Sequence, residues 1–268
     1  MAFERKVPYT EQALLPESRR RAIAELLRAR GEESVAGLEG EFQVSSMTIR
    51  RDLRELQRQG LAKRTHGGAI APGFAAHEDS FSQRVNVDVE IKQRLAMAAA
   101  ALVEPGETVF IDSSSSAYFV ARQVIANGIP ATIVTNSLPV MQLFASAVAS
   151  VELTGSGGWL RGLTLSLVGP AAVRTIREHF ADKLFLSVKG LTSDGSLTDP
   201  DPLECEVKRA MIDRAEASIL LLQPRKLSER GSHLIASGDR LSLVLSADLS
   251  TSQVRQLEGT GLKLRCVD

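Results

Sequence analysis

The densest positive charge of the chain lies in residues 43–72, which hold six Lys or Arg side chains and two Asp or Glu side chains. Part of this stretch is predicted to form a helix that is capped by Ser45 and ends before Gly60. At about 100° per residue, its apolar side chains share one face. The opposite side carries Met47, Arg51, Arg54 and Arg58, with Thr48 and Arg50 beside them near the amino end. A guanidinium group can form two hydrogen bonds to a guanine or clamp a phosphate, so this face predicts contact with duplex DNA; a merely solvated face is the alternative.

Small polar residues supply a second candidate site. Three runs of them follow apolar segments that are predicted to be strands: Asp112-Ser113-Ser114-Ser115-Ser116, Thr135-Asn136-Ser137 and Gly155-Ser156-Gly157-Gly158. Hydroxyl groups and the free N–H groups at the start of a helix stabilise an anion such as a phosphate, and glycine lets a ligand approach the backbone. Each run alone also fits a helix cap or a turn, but three runs at equivalent strand ends favour one pocket.

Short helices and a hairpin are expected to position the cationic face. A first helix is predicted over about Glu17 to Ala29, and Ser34 caps a second, short helix. The segment LAKRTHGGAI reverses at Gly67-Gly68, which predicts a hairpin with Lys63, Arg64 and His66 near its tip. Three helices followed by a basic hairpin indicate a winged helix-turn-helix, whose third helix enters the major groove. Asp52 is expected to pair within this domain, because phosphates repel a carboxylate.

The rest of the chain alternates between strands and helices. Residues 71–80 mix Pro, Gly, Ala and acidic residues without periodicity, so the linker is placed within them. A helix is predicted over about Glu90 to Val103, and others from Ala117, after Pro139, and near Ala171 and Leu203. Strands are predicted at 108–111, 131–134, 150–153, 183–187, 218–222, 241–246 and 262–267. This alternation predicts a Rossmann-like, mostly parallel α/β sheet, in which ligands bind at the carboxyl ends of the strands.

The composition limits the class of protein. The 32 Lys and Arg residues balance 32 Asp and Glu residues, which argues against a protein that coats nucleic acid or membrane with its whole surface. Nine Phe, two Tyr and one Trp disfavour a binder that stacks single-stranded bases. Two cysteines form no CxxC motif or disulfide framework, which favours a reducing compartment. The longest apolar run, Leu95 to Val103, is too short to span a bilayer, so a cytoplasmic protein without membrane contact is expected.

The segment VSSMTIRRDLRELQRQGLAKRTHGGAI resembles the amino-terminal signature of the DeoR family of bacterial transcription regulators. That signature runs Ser-x-x-Thr-Ile-Arg-Arg-Asp-Leu and later His-Gly-Gly-Ala. The resemblance implies a winged helix-turn-helix that binds double-stranded operator DNA as a homodimer or homotetramer. The residues expected to contact DNA are Ser45, Ser46, Met47, Thr48, Arg50, Arg51, Arg54, Lys63, Arg64 and His66. Which arginine reads a base and which one contacts a phosphate stays open.

Most of residues 78–250 resemble the sensor domain of the same family, which shares its fold with sugar-phosphate isomerases. The matching residues are Glu78, Phe81, Arg84, Lys92, Thr135-Asn136-Ser137, Gly157-Gly158, Asp194-Gly195, Glu204, Lys208 and Lys226. The resemblance implies a repressor of carbohydrate genes that responds to a phosphorylated sugar. Ser114 stands where the family usually has glycine, and Gln223 stands where it usually has aspartate. A different anionic sugar derivative is therefore a second hypothesis for the effector.

The expected effector contacts combine the polar loops with the residues that the resemblance adds. They are Lys92, Asp112, Ser113, Ser114, Ser115, Ser116, Thr135, Asn136, Gly157, Gly158, Lys189, Glu204, Lys208 and Lys226. The three later lysines would supply positive charge, and Glu204 would orient one of them or accept a hydrogen bond from a sugar hydroxyl. As an alternative, Lys208 lies on the exposed face of its helix, as lysines usually do.

We therefore divide the chain into an N-terminal tail (residues 1–15), a winged helix-turn-helix domain (16–71), a linker (72–80) and an effector-binding sensor domain (81–268). A sugar-phosphate isomerase or deaminase is the main alternative, since fold does not fix function and Asp194, Glu204, Glu206 and Lys208 offer acid–base groups. The N-terminal winged helix-turn-helix domain favours a regulator with no catalytic residue, metal or cofactor. A scaffold with a degenerate sensor is the third class.

Overall fold

A computed structural model of the chain describes residues 15–30, 32–65, 67–70, 78–144 and 151–267. The chain divides into two compact units with the boundary between Glu78 and Asp79. Among the described residues, no helix combines the length and the apolar character that a bilayer span requires.

The first unit is a three-helix domain with a small antiparallel sheet. Its elements are α1 (Pro16–Arg30), β1 (Glu32–Ser34), α2 (Val35–Phe42), α3 (Ser46–Arg58), β2 (Lys63–Arg64) and β3 (Gly68–Ile70). The strands lie in the order β1-β3-β2, so the hairpin β2–β3 forms a wing beside the helices. The predicted winged helix-turn-helix is confirmed. Strand β1 was not predicted, because three residues are too few to show alternation.

The helices of the first unit are locked together by an apolar core and one buried ion pair. Ile23 and Leu27 of α1, Leu38 of α2, and Ile49, Leu53 and Leu56 of α3 form the core. Beside it, the Nε atom of Arg19 on α1 donates to Oδ2 of Asp52 on α3 at 2.6 Å, and Asp52 is 2% exposed. This contact confirms that Asp52 pairs within the domain. It also fixes α3 against α1, which sets the direction of the exposed face of α3.

The wing depends on a glycine at the end of its turn. The N–H group of Thr65 donates to the carbonyl of Gly68 at 3.0 Å, and Arg64 pairs with Ala69. A Cβ atom on Gly68 would lie 2.0 Å from the carbonyl oxygen of Glu33 in β1, so no larger residue fits there. The predicted reversal at this point is confirmed, while His66 lies outside the described residues.

The second unit is built on one parallel sheet with helices on both faces. Its elements in chain order are α4 (Phe81–Val85), α5 (Val89–Ala100), β4 (Thr108–Ile111), α6 (Ser115–Ala126), β5 (Ala131–Thr135), α7 (Leu138–Phe144), β6 (Val151–Gly155), β7 (Trp159–Arg161), β8 (Ser166–Val168), α8 (Pro170–Arg177), β9 (Ala181–Leu186), β10 (Gly190–Leu191), β11 (Leu197–Asp199), α9 (Pro202–Arg214), β12 (Ala215–Leu222), a 3-10 turn (Pro224–Leu227), β13 (His233–Ala236), a second 3-10 turn (Gly238–Arg240), β14 (Leu243–Ser246), α10 (Thr251–Glu258) and β15 (Leu264–Cys266).

The sheet runs in the order β15-β14-β12-β9-β4-β5-β6, and every described pair in it is parallel. Helices α5 and α6 cover one face, and α8 and α9 cover the other, each over its own apolar cluster. The order reverses between β4 and β9, which opens a crevice at the carboxyl ends of these strands. All seven strands of this sheet were predicted, so the α/β fold class is confirmed.

Three features of the second unit were not predicted. The hairpin β7–β8, the small sheet β10-β11-β13 and helix α10 add to the parallel sheet. Strands of two to four residues are too short to show alternation, and α10 is short and largely polar, so neither has a clear periodic signal.

We expect Asp52→Ala to lower the free energy of unfolding of the first unit by about 3 kcal/mol, because it removes one side of a buried ion pair. Urea unfolding followed by circular dichroism measures this change, and the fluorescence of Trp159 reports separately on the second unit. Glu55→Ala is the matched control, since Glu55 pairs with the exposed Arg58 on the same helix. Equal unfolding midpoints for the two variants would contradict the assignment.

Candidate functional site

The exposed face of α3 begins at a well-capped amino end. The Oγ atom of Ser45 accepts from the N–H group of Thr48 at 3.4 Å and lies 3.1 Å from the Thr48 hydroxyl oxygen. Met47 is 80% exposed, so its apolar side chain is accessible to a partner. The guanidinium groups of Arg50, Arg51 and Arg54 are also exposed, and within the described residues no ion pair involves them.

Arg58 differs from these arginines although it lies on the same side of the helix. Its Nη2 and Nε atoms donate to the two carboxylate oxygens of Glu55 at 2.6 and 2.9 Å. This bidentate bond, joined by a hydrogen bond from Gln59, lowers the pKa of Glu55 to about 2. Arg58 therefore has a partner within the protein, and the free cationic surface consists of the arginines nearer the amino end of α3.

Three further predicted DNA contacts are Arg64, Ser46 and Lys63, and of Lys63 only the backbone is described. Arg64 is exposed on strand β2 of the wing, and Ser46 is half-buried at the start of α3. The backbone of Lys63 lies in β2 and pairs with Ile70. The α3 face is therefore the better described part of the predicted DNA surface.

In the second unit, the ammonium group of Lys208 joins segments that lie far apart in the chain. Its Nζ atom lies 2.5 Å from Oδ2 of Asp199 and 3.3 Å from Oδ2 of Asp112, and it donates to the carbonyl of Ser187. Burial alone would lower the pKa of Lys208, but these two carboxylates outweigh burial and hold it above its ordinary value. Lys208 is 6% exposed, so the alternative that it lies on an exposed helix face is wrong.

A second buried carboxylate, Glu204, accepts hydrogen bonds from three hydroxyl groups. They belong to Ser113 at 3.0 Å, Thr164 at 2.8 Å and Ser166 at 2.5 Å. The guanidinium of Arg161 lies 3.8 Å away. The carboxylate thus ties the loop after β4 to the β7–β8 hairpin. Glu204 was predicted to orient a lysine or to accept a hydrogen bond from a sugar hydroxyl. In the structure it accepts hydrogen bonds from hydroxyl groups of the protein.

Lys226 has a weaker set of partners than Lys208. Its Nζ atom donates to the Ser187 hydroxyl at 2.6 Å, and the described residues hold no carboxylate within ion-pair distance of it. Burial, and then the positive charges of Lys208 and Arg225, lower the pKa of Lys226 to about 7. Lys226 is therefore expected to take up a proton when an anion binds beside it.

The other two predicted lysines have partners of different kinds. Lys92 is buried on α5, and its ammonium group donates to the carbonyl oxygens of Arg84 and Val87. Burial, and then the charge of Arg225, lower the pKa of Lys92 to about 8. Lys189 forms an ion pair with Glu229 at 3.0 Å.

Several buried polar atoms around the crevice lack a hydrogen-bond partner among the described residues. They are Nε and Nη2 of Arg84, Oγ of Ser116, Oδ1 of Asn136, Oγ of Ser156 and Nε2 of Gln223. Four of these five residues follow or lie just beyond strands β4, β5, β6 and β12, at the edge where the sheet order predicts a ligand. Since buried polar groups are nearly always hydrogen-bonded, this set indicates a site for a polar ligand.

The remaining loop residues mainly shape the crevice. Ser114 has φ −74°, a conformation open to any residue, and its hydroxyl caps α6 by accepting from the N–H group of Ala117 at 3.1 Å. Serine in place of glycine at position 114 therefore adds a helix cap without backbone strain. The Thr135 hydroxyl donates to the carbonyl oxygen of Ile111, and Nδ2 of Asn136 donates to the carbonyl oxygen of Leu167 at 3.1 Å. A Cβ atom on Gly158, which has φ +124°, would lie 2.5 Å from a backbone oxygen of Val168.

Ser115 and Gly157 were predicted to contact the effector, and this stays a prediction. Ser115 is the first residue of α6 and is buried, and a Cβ atom on Gly157 would meet only one neighbouring atom, at 4.0 Å. Ser187 and Asp199 were missed as site residues. Ser187 follows a predicted strand and carried the same signal as the chosen loops, whereas Asp199 lies in a three-residue strand that has no signal of its own.

Two domain families match the chain. The model of the DeoR C terminal sensor domain matches residues 87–247, and that of the DeoR-like helix-turn-helix domain matches residues 19–73. Among similar proteins, the HTH-type transcriptional regulator YulB of Bacillus subtilis is 30% identical over 95% of this chain and 98% of its own length. The HTH-type transcriptional regulator GlpR of Haloferax volcanii is 33% identical over 93% of this chain and 97% of its own.

Two further comparisons have narrower coverage. The Glycerol-3-phosphate regulon repressor of Escherichia coli is 33% identical over 78% of this chain and 81% of its own length. Among solved structures, ribose 5-phosphate isomerase A of Methanocaldococcus jannaschii is 14% identical, covers 52% of this chain and 55% of its own, and has a TM-score of 0.39.

We expect the second unit to bind sulfate more weakly as the pH rises from 7 to 9. In the free protein Lys226 is largely neutral above its pKa of about 7, whereas a bound anion favours the ammonium form, so binding takes up a proton. The association constant should then fall by up to about tenfold per pH unit. Calorimetric titration with sulfate, whose charge is constant over this range, measures the slope.

Lys226→Arg is the control for this titration, since arginine keeps its charge throughout. The slope should become shallower in this variant and retain only the contribution of Lys92, whose pKa is about 8. Lys208, Asp199 and the guanidinium groups of Arg84 and Arg225 also face Lys226 and are present in both proteins. An unchanged slope would assign the pH dependence to another group.

Proposed function

The chain belongs to the DeoR family of transcriptional regulators, and from this premise we propose that it represses carbohydrate-metabolism genes by binding operator DNA under the control of an anionic sugar-derived effector. The observation that carries the DNA-binding half is the exposed face of α3. The observation that carries the effector half is the set of unpartnered polar atoms beside uncompensated cations in the second unit.

The first unit supports insertion of α3 into a major groove. Arg50, Arg51 and Arg54 are free of intramolecular ion pairs among the described residues, so binding a phosphate or a base breaks no existing bond. Met47 offers an apolar contact such as that made with a thymine methyl group. The buried pair of Arg19 and Asp52 holds the helix in place, which lowers the entropy lost on binding.

The second unit supports an effector that carries both negative charge and a hydroxyl group. Arg84, Gln223 and the two serine hydroxyls offer hydrogen-bond donors, while Oδ1 of Asn136 can only accept. A phosphate or carboxylate satisfies the donors, and a sugar hydroxyl satisfies the acceptor. The names of the relatives, a Glycerol-3-phosphate regulon repressor and an L-fucose operon activator, favour the same class of small polyol or sugar metabolite.

We propose that the effector is bound without being converted. Two of the four candidate acid–base groups are buried and engaged in the protein: Glu204 accepts hydrogen bonds from three hydroxyl groups, and Lys208 is held between two carboxylates. A chain that reads duplex DNA acts where the chromosome is, so we place it in the cytoplasm. Because operators of this kind are symmetric, we propose a homodimer or homotetramer.

We expect Arg51→Ala to weaken binding to a specific duplex by about 1–3 kcal/mol if the guanidinium reads a base. The duplex is obtained by selecting a random library on the full-length protein, and affinity is measured by fluorescence anisotropy. Arg58→Ala, on the same helix, is the matched control, since Arg58 is bound to Glu55 and should leave affinity nearly unchanged. Equal losses of affinity in both variants would mean that the α3 face contributes only general electrostatic attraction and reads no base through Arg51.

The same measurement repeated at several salt concentrations tests the partner itself. Neutralisation of phosphates releases counterions, so the logarithm of the affinity should fall steeply with the logarithm of the salt concentration. A flat salt dependence, or failure of the selection to enrich any duplex, would contradict DNA as the partner.

A further inference from the structure

Arg84 is a half-buried cation with two shielded nitrogen atoms that the described residues do not satisfy. Its Nε and Nη2 atoms are shielded from solvent and have no hydrogen-bond partner among the described residues. Two other cations are close enough for Arg84 to lower their pKa values, namely Lys92 and Lys226. A guanidinium placed for structural reasons would be paired, because an unpaired buried charge beside like charges is strongly unfavourable.

Three carboxylates close to Lys92, Arg225 or Lys226 are bound to cations other than Arg84. Asp88 lies 3.1 Å from Arg225, and Glu229 lies 3.6 Å from the same guanidinium. Asp199 is held by Lys208. Among the described residues no carboxylate forms an ion pair with Arg84, so its guanidinium is open to an anion from outside the chain.

Arg84 also occupies a distinctive place in the chain. It lies on α4, a helix of five residues and the first helix after the boundary between the two units. So short a helix has little stability of its own. Its ends are held instead by the Ser80–Gln83 capping box and by Lys92, whose ammonium group binds the carbonyl oxygens of Arg84 and Val87.

We propose that Arg84 binds the anionic group of the effector together with Lys226, and that this contact transmits occupancy of the site to α4. The proposal rests on the proposed function and adds to it a ligand-binding residue and a route. An anion draws the guanidinium toward the crevice, and because Arg84 is part of α4, the helix is held more firmly when the site is filled. In the amino-acid sequence, α4 directly follows the segment that leads from the first unit. The DNA-binding domain is therefore covalently connected to the helix that becomes more ordered when the anion binds.

The test compares the full-length wild-type chain with Arg84→Gln and with Arg177→Gln. The control residue, Arg177, is exposed on α8, so this variant loses the same charge elsewhere. Inorganic phosphate at constant ionic strength is the probe, thermal unfolding gives the saturation curve, and hydrogen exchange of the amides of residues 84–87 reports on α4. We expect the half-saturating phosphate concentration to rise about tenfold or more in Arg84→Gln and to stay unchanged in Arg177→Gln.

Two readouts separate ligand binding from a structural role. Without phosphate, Arg84→Gln should be no less stable than the wild type, because it removes a charge that has no partner and is repelled by its neighbours. With phosphate at saturation, exchange at residues 84–87 should slow in the wild type and in Arg177→Gln but not in Arg84→Gln. Arg84→Lys should retain part of the affinity, since it keeps the charge but not the two parallel donors.

Unchanged phosphate binding in Arg84→Gln, or a loss of stability in its phosphate-free form, would overturn the proposal. So would a wild-type protein that does not respond to phosphate. DNA selection in the absence of phosphate tests the proposed function separately, because Arg84 lies outside the first unit. A protein that selects a duplex but shows no phosphate response refutes the role of Arg84 and leaves the regulator assignment in place.

Discussion

The buried ammonium group of Lys208 is the contact on which the second site depends. It brings together Asp112 after β4, Ser187 after β9 and Asp199 in β11, so one positive charge fixes three segments at the point where the strand order reverses. Burying three ionised groups is unfavourable unless each is paired and hydrogen-bonded. The two oxygens of Asp112 meet this condition by also accepting the N–H groups of Ser114 and Ser187. The site therefore has a rigid base formed by paired charges.

On this base the protein places charges that are not paired. Lys226 is attached to the base through the hydroxyl of Ser187, and Arg84 approaches from α4 with open hydrogen-bond donors. Both arrangements cost stability, because cations are held near one another in a partly buried space. A bound anion removes the repulsion and satisfies the donors at once. Pre-organised repulsion of this kind converts ligand binding into stabilisation of the surrounding segments, and α4, a helix of only five residues, is one of them.

The fold could be predicted from the sequence because its signals are local. Ser34 and Ser45 cap helices at the expected positions, and every strand of the main sheet shows an apolar run between turn residues. Asp52 was also predicted correctly, since charge repulsion from DNA left an internal partner as the better choice. Lys208 could not be assigned in this way. Whether a helical lysine points to solvent or into a crevice depends on a carboxylate such as Asp199, which lies on a strand too short to predict.

The pairing state of each cation distinguishes the binding surfaces from the framework, and sequence does not reveal it. Arg51 and Arg58 lie on the same side of α3, yet only Arg58 has a bidentate partner three residues away. Arg225 and Arg84 both lower the pKa values of Lys92 and Lys226, yet among the described residues only Arg225 is matched by Asp88 and Glu229. The chain as a whole carries equal numbers of acidic and basic residues. Overall neutrality is therefore compatible with the proposed binding of duplex DNA and of a small anion, since each requires only a few cations at chosen places whose compensating carboxylates are engaged elsewhere.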